Sequence, residues 1–467
     1  MPSLSRLPVC VAAGNPVTAD VGVEILRRGG SAADAAVAAV LASCVAETVF
    51  TGIGGGGYAT YYDAATRSTH CLDFFVAVPG LGGRRSVMAR QLDIDFGGQL
   101  VPYAVGAATV AVPGTPAGVA ALHERWGRLG WKELVAPAIA HAAKGVAFAP
   151  LHSKVLATVA PAMLLGDGET IYARDGELLA GGARLFHPGL DSALRTLADE
   201  GAESFYTGRI AEAMVAAVGD QGDLGPADLA SYRVVDSRPR RVAMGDLTVH
   251  ARGDDLDDLL STVAELRLPA DETARAAELV RVLRALPRRG DTTSLAVADA
   301  DGNVCSVTTS LGLSSGVWLP DLGIHLNSMM GESELVRGNE TPGERMGSMM
   351  SPLVALDEND SPVLVAGAAG GSRIRSALLQ VLVRVVHDGM CAQDAISAPR
   401  LNPVPGRVHL EPGFSEAVVA RLRRDDEVTI WPSADTYFGG AAAIGLSGPG
   451  SDARRGGAVR HLADPVS

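Results

Sequence analysis

At Asp291 the chain changes character, and this change restricts the possible architecture more than any other feature of the sequence. The preceding stretch, Gly253 to Arg289, is charged and helix-prone, carries Asp254, Asp255, Asp257 and Asp258, and leads into Pro287-Arg288-Arg289-Gly290-Asp291. It reads as an exposed, loop-like segment. Thr292 to Ala298 and Val304 to Thr309 are then β-branched and strand-like, with Asp301-Gly302 supplying a tight turn between them. A β-hairpin thus begins abruptly with two threonines. Farther on, Ser376 to His387 is apolar nearly all round, which predicts a helix buried between other layers. Strands sandwiched with buried helices point to a layered α/β (α+β) architecture.

The start of the chain is helical by its punctuation. Thr18 is placed to cap a helix that ends at Gly29-Gly30, and Ser31 with Asp34 forms a capping-box pattern before an alanine-rich run to Glu47. Gly52-Ile53-Gly54-Gly55-Gly56-Gly57 then joins helix to strand, because Tyr58-Ala59-Thr60-Tyr61-Tyr62 has strand composition. The order matters. These glycines fit GxGxxG, with Asp73 as a ribose partner, but dinucleotide binding needs the strand first and the helix second. Close helix–strand packing explains them instead. Between about 115 and 217 the pattern is helical again, and Phe205-Tyr206-Thr207-Gly208 opens a helix to about Val218. Gly312-Leu313-Ser314-Ser315-Gly316 fits GxSxG, with His387 or His409 available for a triad. A nucleophile elbow runs straight into a helix, whereas Val317-Trp318-Leu319-Pro320 is extended, so a loop beside the hairpin is expected. The acidic group Asp254 to Asp258 lacks the glycine and distal glutamate of a calcium loop and reads as a solvated face.

Composition closes several classes. With 467 residues, 47% of them hydrophobic, the chain has material for one large or two ordinary domains with a sizeable core. No Lys/Arg run offsets the net charge of −13, so nucleic acid is not an expected partner. Gly14, Asn15 and Pro16 interrupt any signal-peptide core, and no apolar run is long enough to span a membrane; a soluble cytoplasmic protein is expected. Cys10, Cys44, Cys71, Cys305 and Cys391 are scattered without metal or redox spacing and read as buried thiols. Neither a metal nor an organic cofactor is indicated.

The paired threonines carry a chemical option. A chain-terminal threonine acts as its own base: its α-amine accepts the hydroxyl proton while Oγ attacks a carbonyl. Such a terminus arises only by peptide cleavage, and the basic turn before Thr292 suits it. On the residues alone, β propensity is the better explanation of Thr292 and Thr293.

Motifs along most of the chain favour the chemical option. Ala12-Ala13-Gly14-Asn15-Pro16, Gly29-Gly30-Ser31-Ala32-Ala33-Asp34-Ala35, Gly52 to Gly56, Val112-Pro113-Gly114-Thr115, Phe205 to Gly208 and Asp228-Leu229-Ala230-Ser231-Tyr232 come first. Thr292-Thr293-Ser294, Asp301-Gly302-Asn303, Gly323 to Asn327, Ser351-Pro352, Gly370-Gly371-Ser372-Arg373 and Ala398-Pro399-Arg400 come after them in order. Jointly the chain resembles the γ-glutamyltransferase family of N-terminal-nucleophile hydrolases. The resemblance implies a four-layer αββα sandwich, one globular domain formed by a large-subunit-like segment 1–291 and a small-subunit-like segment 292–467. It implies self-cleavage between Asp291 and Thr292, with Thr292 as nucleophile and Ser310 where the family has a supporting threonine. Gly370 and Gly371 match glycines whose N–H groups form an oxyanion hole, a sensible place for donors because a helix comes next. Glu332 falls at an acidic position that holds the substrate's α-amino group, and Ser348 at a serine that contacts its carboxylate. A small amide of γ-glutamyl type, with water or an amine as acceptor, is the implied substrate pair. The two cleaved segments are the implied heterodimer.

Several positions depart from the family. Phe75 stands where an arginine should clamp the substrate carboxylate, Gly312 replaces an asparagine, Met329 a glutamine, and Met349 the second of two serines. The proline- and serine-rich loop expected near 251–257 is absent, the segment before Thr292 is shortened, and the link from Gly331 to Ser348 is short for a lid. Arg373, Arg375 or Arg345 is the candidate replacement for the missing arginine. The expectation is a self-processing γ-glutamyltransferase-like enzyme working through a threonine acyl-enzyme, its machinery kept and its recognition shell changed. Two alternatives stand beside it: an acylase of specialised metabolism whose substrate lacks a glutamyl α-carboxylate, and an uncut, non-catalytic relative serving as a scaffold.

Overall fold

The computed structural model describes residues 6–84, 88–96, 100–253, 257–286, 292–336 and 338–464. Two antiparallel sheets lie face to face with helices outside both, the αββα arrangement. The seven-stranded sheet runs in the order Val235–Ser237, Ser68–Phe74, Gly56–Asp63, Val304–Ser310, Thr293–Ala298, Cys10–Ala13, Ala458–His461. The six-stranded sheet runs Arg240–Met244, Leu247–Ala251, Leu353–Leu356, Pro362–Ala369, Gly440–Gly445, Gly448–Ser451.

Strand side chains alternate between faces, and here both faces are dry. In Thr293–Ala298, Leu295 and Val297 meet the helical layer while Ala296 and Ala298 meet the opposite sheet. Val11 and Ala13 against Cys10 and Ala12 repeat the division. The alanines keep the layer between the sheets thin, and Tyr62, Val354, Leu356, Val365 and Ile444 fill it.

The first helix, Pro16–Arg27, is capped by Asn15, whose side chain accepts from the Val17 N–H at 2.9 Å; Thr18 lies inside it. Pro16 takes the first helical position, where a missing N–H costs nothing. The Ser31–Asp34 capping box forms as expected, and Ala32–Ala46 is buried along its whole length. That helix precedes the glycine run and the strand Gly56–Asp63 comes after it, while residues 311–317 form a loop beside the hairpin.

One expectation is corrected. The charged segment after Gly253 is not loop-like: Asp257–Glu265 and Glu272–Ala285 are helices. Ala276, Val280 and Leu283 form a buried stripe packed toward helix Glu416–Leu422 and strand Leu401–Val404, and charges occupy the outer face. Asp254, Asp255 and residues 287–291, including the expected cut at Asp291, lie outside the described residues. Cys10, Cys44, Cys71 and Cys305 are buried, but Cys391 is half-buried and caps the helix Ala392–Ser397. Among the described residues no helix is long and apolar enough to cross a membrane, and no group of three His, Cys, Asp or Glu is placed to hold a metal.

Candidate active site

The hairpin register places the first candidates. Thr293 pairs with Thr309, and one step beyond that pair Ser310 and Thr292 come to line the same cavity. Thr292 is 2% exposed. Its Oγ1 accepts a hydrogen bond from the Gly370 N–H at 3.1 Å, and its carbonyl accepts one from Arg455 Nη1 at 3.0 Å. Gly370 succeeds Pro362–Ala369, a strand of the other sheet, and adopts φ 125°, a conformation that favours glycine. Gly371 continues the turn with φ 65°, and helix Ile374–Val386 starts directly after it. An N–H donor therefore reaches the Thr292 hydroxyl across the gap between sheets.

Thr292, Ser310, Glu332 and Ser348 share a cavity of about 200 Å³. Phe75, Met329, Leu335, Met349, Met350 and Ile374 make the rest of its wall, and three of these, Phe75, Met329 and Met349, are positions where the sequence is read as departing from the family. Gly312 sits beside it through its backbone, its N–H donating to Ser310 Oγ at 3.1 Å. A Cβ at Gly312, where φ is 70°, would lie 2.5 Å from Glu332 Oε1, so the Glu332 carboxyl occupies the space a side chain at 312 would need.

None of the three arginines lines this cavity. Arg345 is committed elsewhere, with Nε on Asp73 Oδ1 at 3.2 Å and its guanidinium 4.3 Å above the Tyr232 ring. Arg375 is buried in the first turn of its helix, and Arg373 lines a separate groove. A different cation stands behind Phe75. Buried Arg252 holds the Ser348 and Met350 carbonyls, and its guanidinium lies 4.0 Å over Tyr58, whose ring stacks on Phe75 at 5.6 Å. It braces the cavity wall from outside.

Two further groups are not singled out from the sequence. Glu47, fully buried beyond the end of the alanine helix, accepts from Thr18 and Thr293 hydroxyls, each at 2.6 Å. Burial pushes its carboxyl above the ordinary range, against those two hydrogen bonds and the Arg455 charge. Arg455 belongs to a run in which neighbouring Arg454 and Arg400 form a buried network with Asp452 and Glu411. Arg400 Nη1 also donates to the Gly439 carbonyl at 3.0 Å, and Gly439 packs against Gly370. The paired arginines before Gly456-Gly457 are the faint signal that could have pointed to them.

The gamma-glutamyltranspeptidase family model matches residues 18–254 and 257–462. Glutathione hydrolase 5 proenzyme of Rattus norvegicus is 27% identical over 96% of this chain and 91% of its own length. Acylase ACY 1 proenzyme of Pseudomonas sp. (strain SE83) is 28% identical over 94% of this chain and 90% of its own. Cephalosporin acylase from Bacillus halodurans, at 23% identity, shares the fold with a TM-score of 0.81 over 97% of this chain and 96% of that one. The chain belongs to the gamma-glutamyltranspeptidase family and is an N-terminal-nucleophile hydrolase.

Proposed function

We propose that cleavage of the Asp291–Thr292 bond frees Thr292, and that the enzyme then transfers or hydrolyses an acyl group lacking a glutamyl α-carboxylate. Thr292 Oγ attacks the amide carbonyl and its own α-amine takes the hydroxyl proton. The carbonyl oxygen becomes an oxyanion held by the Gly370 and Gly371 N–H groups, and the Ser310 hydroxyl supports the nucleophile. Collapse expels the amine, which leaves with the proton. Water or a second amine releases the acyl group by the reverse path. Segments 1–291 and 292–467 stay together as a heterodimer.

One observation carries the reading: a hydroxyl already engaged at 3.1 Å by a backbone donor, in a cavity whose wall is Phe75 at the position of the clamping arginine. A γ-glutamyl donor is the second reading, favoured by Glu332 and Ser348 on the same wall. The test compares N-butyryl-p-nitroanilide with γ-glutamyl-p-nitroanilide. Loss of a bidentate carboxylate contact should hold kcat/KM for the γ-glutamyl amide at least about tenfold lower. The opposite order selects the γ-glutamyl reading. Intact-mass analysis should find two chains with the acyl adduct on 292–467; one uncut, unmodified chain rejects both.

A further inference from the structure

We propose that an open groove of about 750 Å³, flanking the turn that carries Gly370, binds the amine half of the substrate, and that this half is planar and anionic. This rests on Thr292 being the nucleophile. The acyl cavity is small and walled by apolar side chains, so the amine half of an amide attacked at Thr292 needs a second space. Adjacent residues of one turn face the two spaces: Ile374 lines the cavity and Arg373 the groove. Arg455 ties the groove to the nucleophile, since it lines the groove while Nη1 holds the Thr292 carbonyl at 3.0 Å.

The lining indicates the ligand. Aromatic residues make up only 4% of the chain, yet Trp431, Tyr437 and Phe96 gather here. Trp431 stacks on Tyr437 with centroids 4.8 Å apart and planes at 21°. The Arg373 guanidinium lies 5.3 Å from the Phe96 ring and 5.5 Å from the Tyr437 ring. Flat surfaces of this kind hold a planar group by stacking. Lys154, Arg373 and Arg455 outnumber Asp95 and Asp435; the Asp435 carboxylate accepts from the Tyr437 N–H at 2.9 Å, and Arg373 Nε donates to the Tyr437 carbonyl at 3.0 Å. A carboxylate on the departing or accepting amine meets those cations.

The probes are 4-aminobenzoate and aniline, titrated against the processed protein by calorimetry. The anionic amine should bind at least about tenfold more tightly, the strength of one charge-assisted contact. Lys154→Ala, at an exposed position, should shrink that preference severalfold, and Trp431→Ala should weaken both amines. Equal affinities for the two amines, or a preference untouched by both substitutions, overturn the proposal. Thr292→Ala separates the two readings. Retained preference for the anion together with loss of acylation upholds both, whereas acylation that survives the substitution rejects the function proposed above and leaves the ligand class of the groove standing.

Discussion

Replacing Gly370 with alanine tests the oxyanion geometry at a single atom. An ideal Cβ there lies 2.6 Å from Gly439 Cα and 3.2 Å from Arg455 Nη2, and φ is 125°. The nearer neighbour is backbone and is held in place by Arg400, so the turn containing residue 370 must yield. Relaxing from 2.6 Å to an ordinary carbon contact of about 3.5 Å moves it by roughly 0.9 Å. The N–H starts 3.1 Å from Thr292 Oγ1, near the long end of a good hydrogen bond, so a shift of that size in the opening direction breaks it. Loss of one oxyanion donor costs about 2.7–4 kcal/mol in the transition state, or about 10²–10³ in kcat. Strain at positive φ adds about 1–3 kcal/mol to the folded state. Single-turnover release of p-nitrophenol from p-nitrophenyl butyrate, with intact-mass detection of the acyl-enzyme, measures the first effect, and circular dichroism checks that the variant is folded. A folded Gly370→Ala protein with a rate within about threefold of the parent would refute the assignment of this N–H as an oxyanion donor.

Other substitutions probe the surroundings. Glu47 has a folded pKa raised, chiefly by burial, above its ordinary 4.5, so its favourable contribution is complete below that value and is lost as pH rises through the folded pKa. The stability of wild type relative to Glu47→Gln should therefore fall as pH climbs above 4.5; parallel thermal-melt curves across pH would contradict this. Phe75→Arg alone should not restore a carboxylate clamp, because Arg252 lies one ring behind it and like charges within about 10 Å repel by about 2 kcal/mol. Full stability together with new γ-glutamyl-p-nitroanilide hydrolysis would oppose that account. Asp452→Ala leaves Arg400 without its carboxylate partner and removes one of two from Arg454, and should cost about 3–5 kcal/mol in urea unfolding; a change below about 1 kcal/mol would show the network is not stabilising.

Much of the layered core is readable directly, since local patterns specify it. The threonine-led hairpin, the Ser31–Asp34 box and the apolar helix after Gly371 each carry their signal within one short contiguous stretch. Helix Glu272–Ala285 shows its helix propensity in the sequence, but the charges of its outer face mask the buried stripe at Ala276, Val280 and Leu283, so its packing is not legible. Asn15 competes with Thr18, which is also a cap type though a weaker one, and Pro16 at the first position is the further signal in favour of Asn15. The site is less legible. The Gly370–Thr292 hydrogen bond joins residues 78 apart on two different sheets, a proximity no local pattern encodes, and only the family motifs point to it. Arg252, Glu47 and Arg455 gain their roles only when three separate elements converge around Thr293 and the 348–350 wall.

The strand order also decides the fate of the two polypeptides after a break before Thr292. Each sheet draws strands from both sides of that point: Cys10–Ala13 lies between Thr293–Ala298 and Ala458–His461, and Leu247–Ala251 is hydrogen-bonded to Leu353–Leu356. Pulling the two polypeptides apart means unzipping ladders in both sheets and wetting the alanine layer between them. Cleavage at this bond, as proposed, changes the covalent state without changing the assembly.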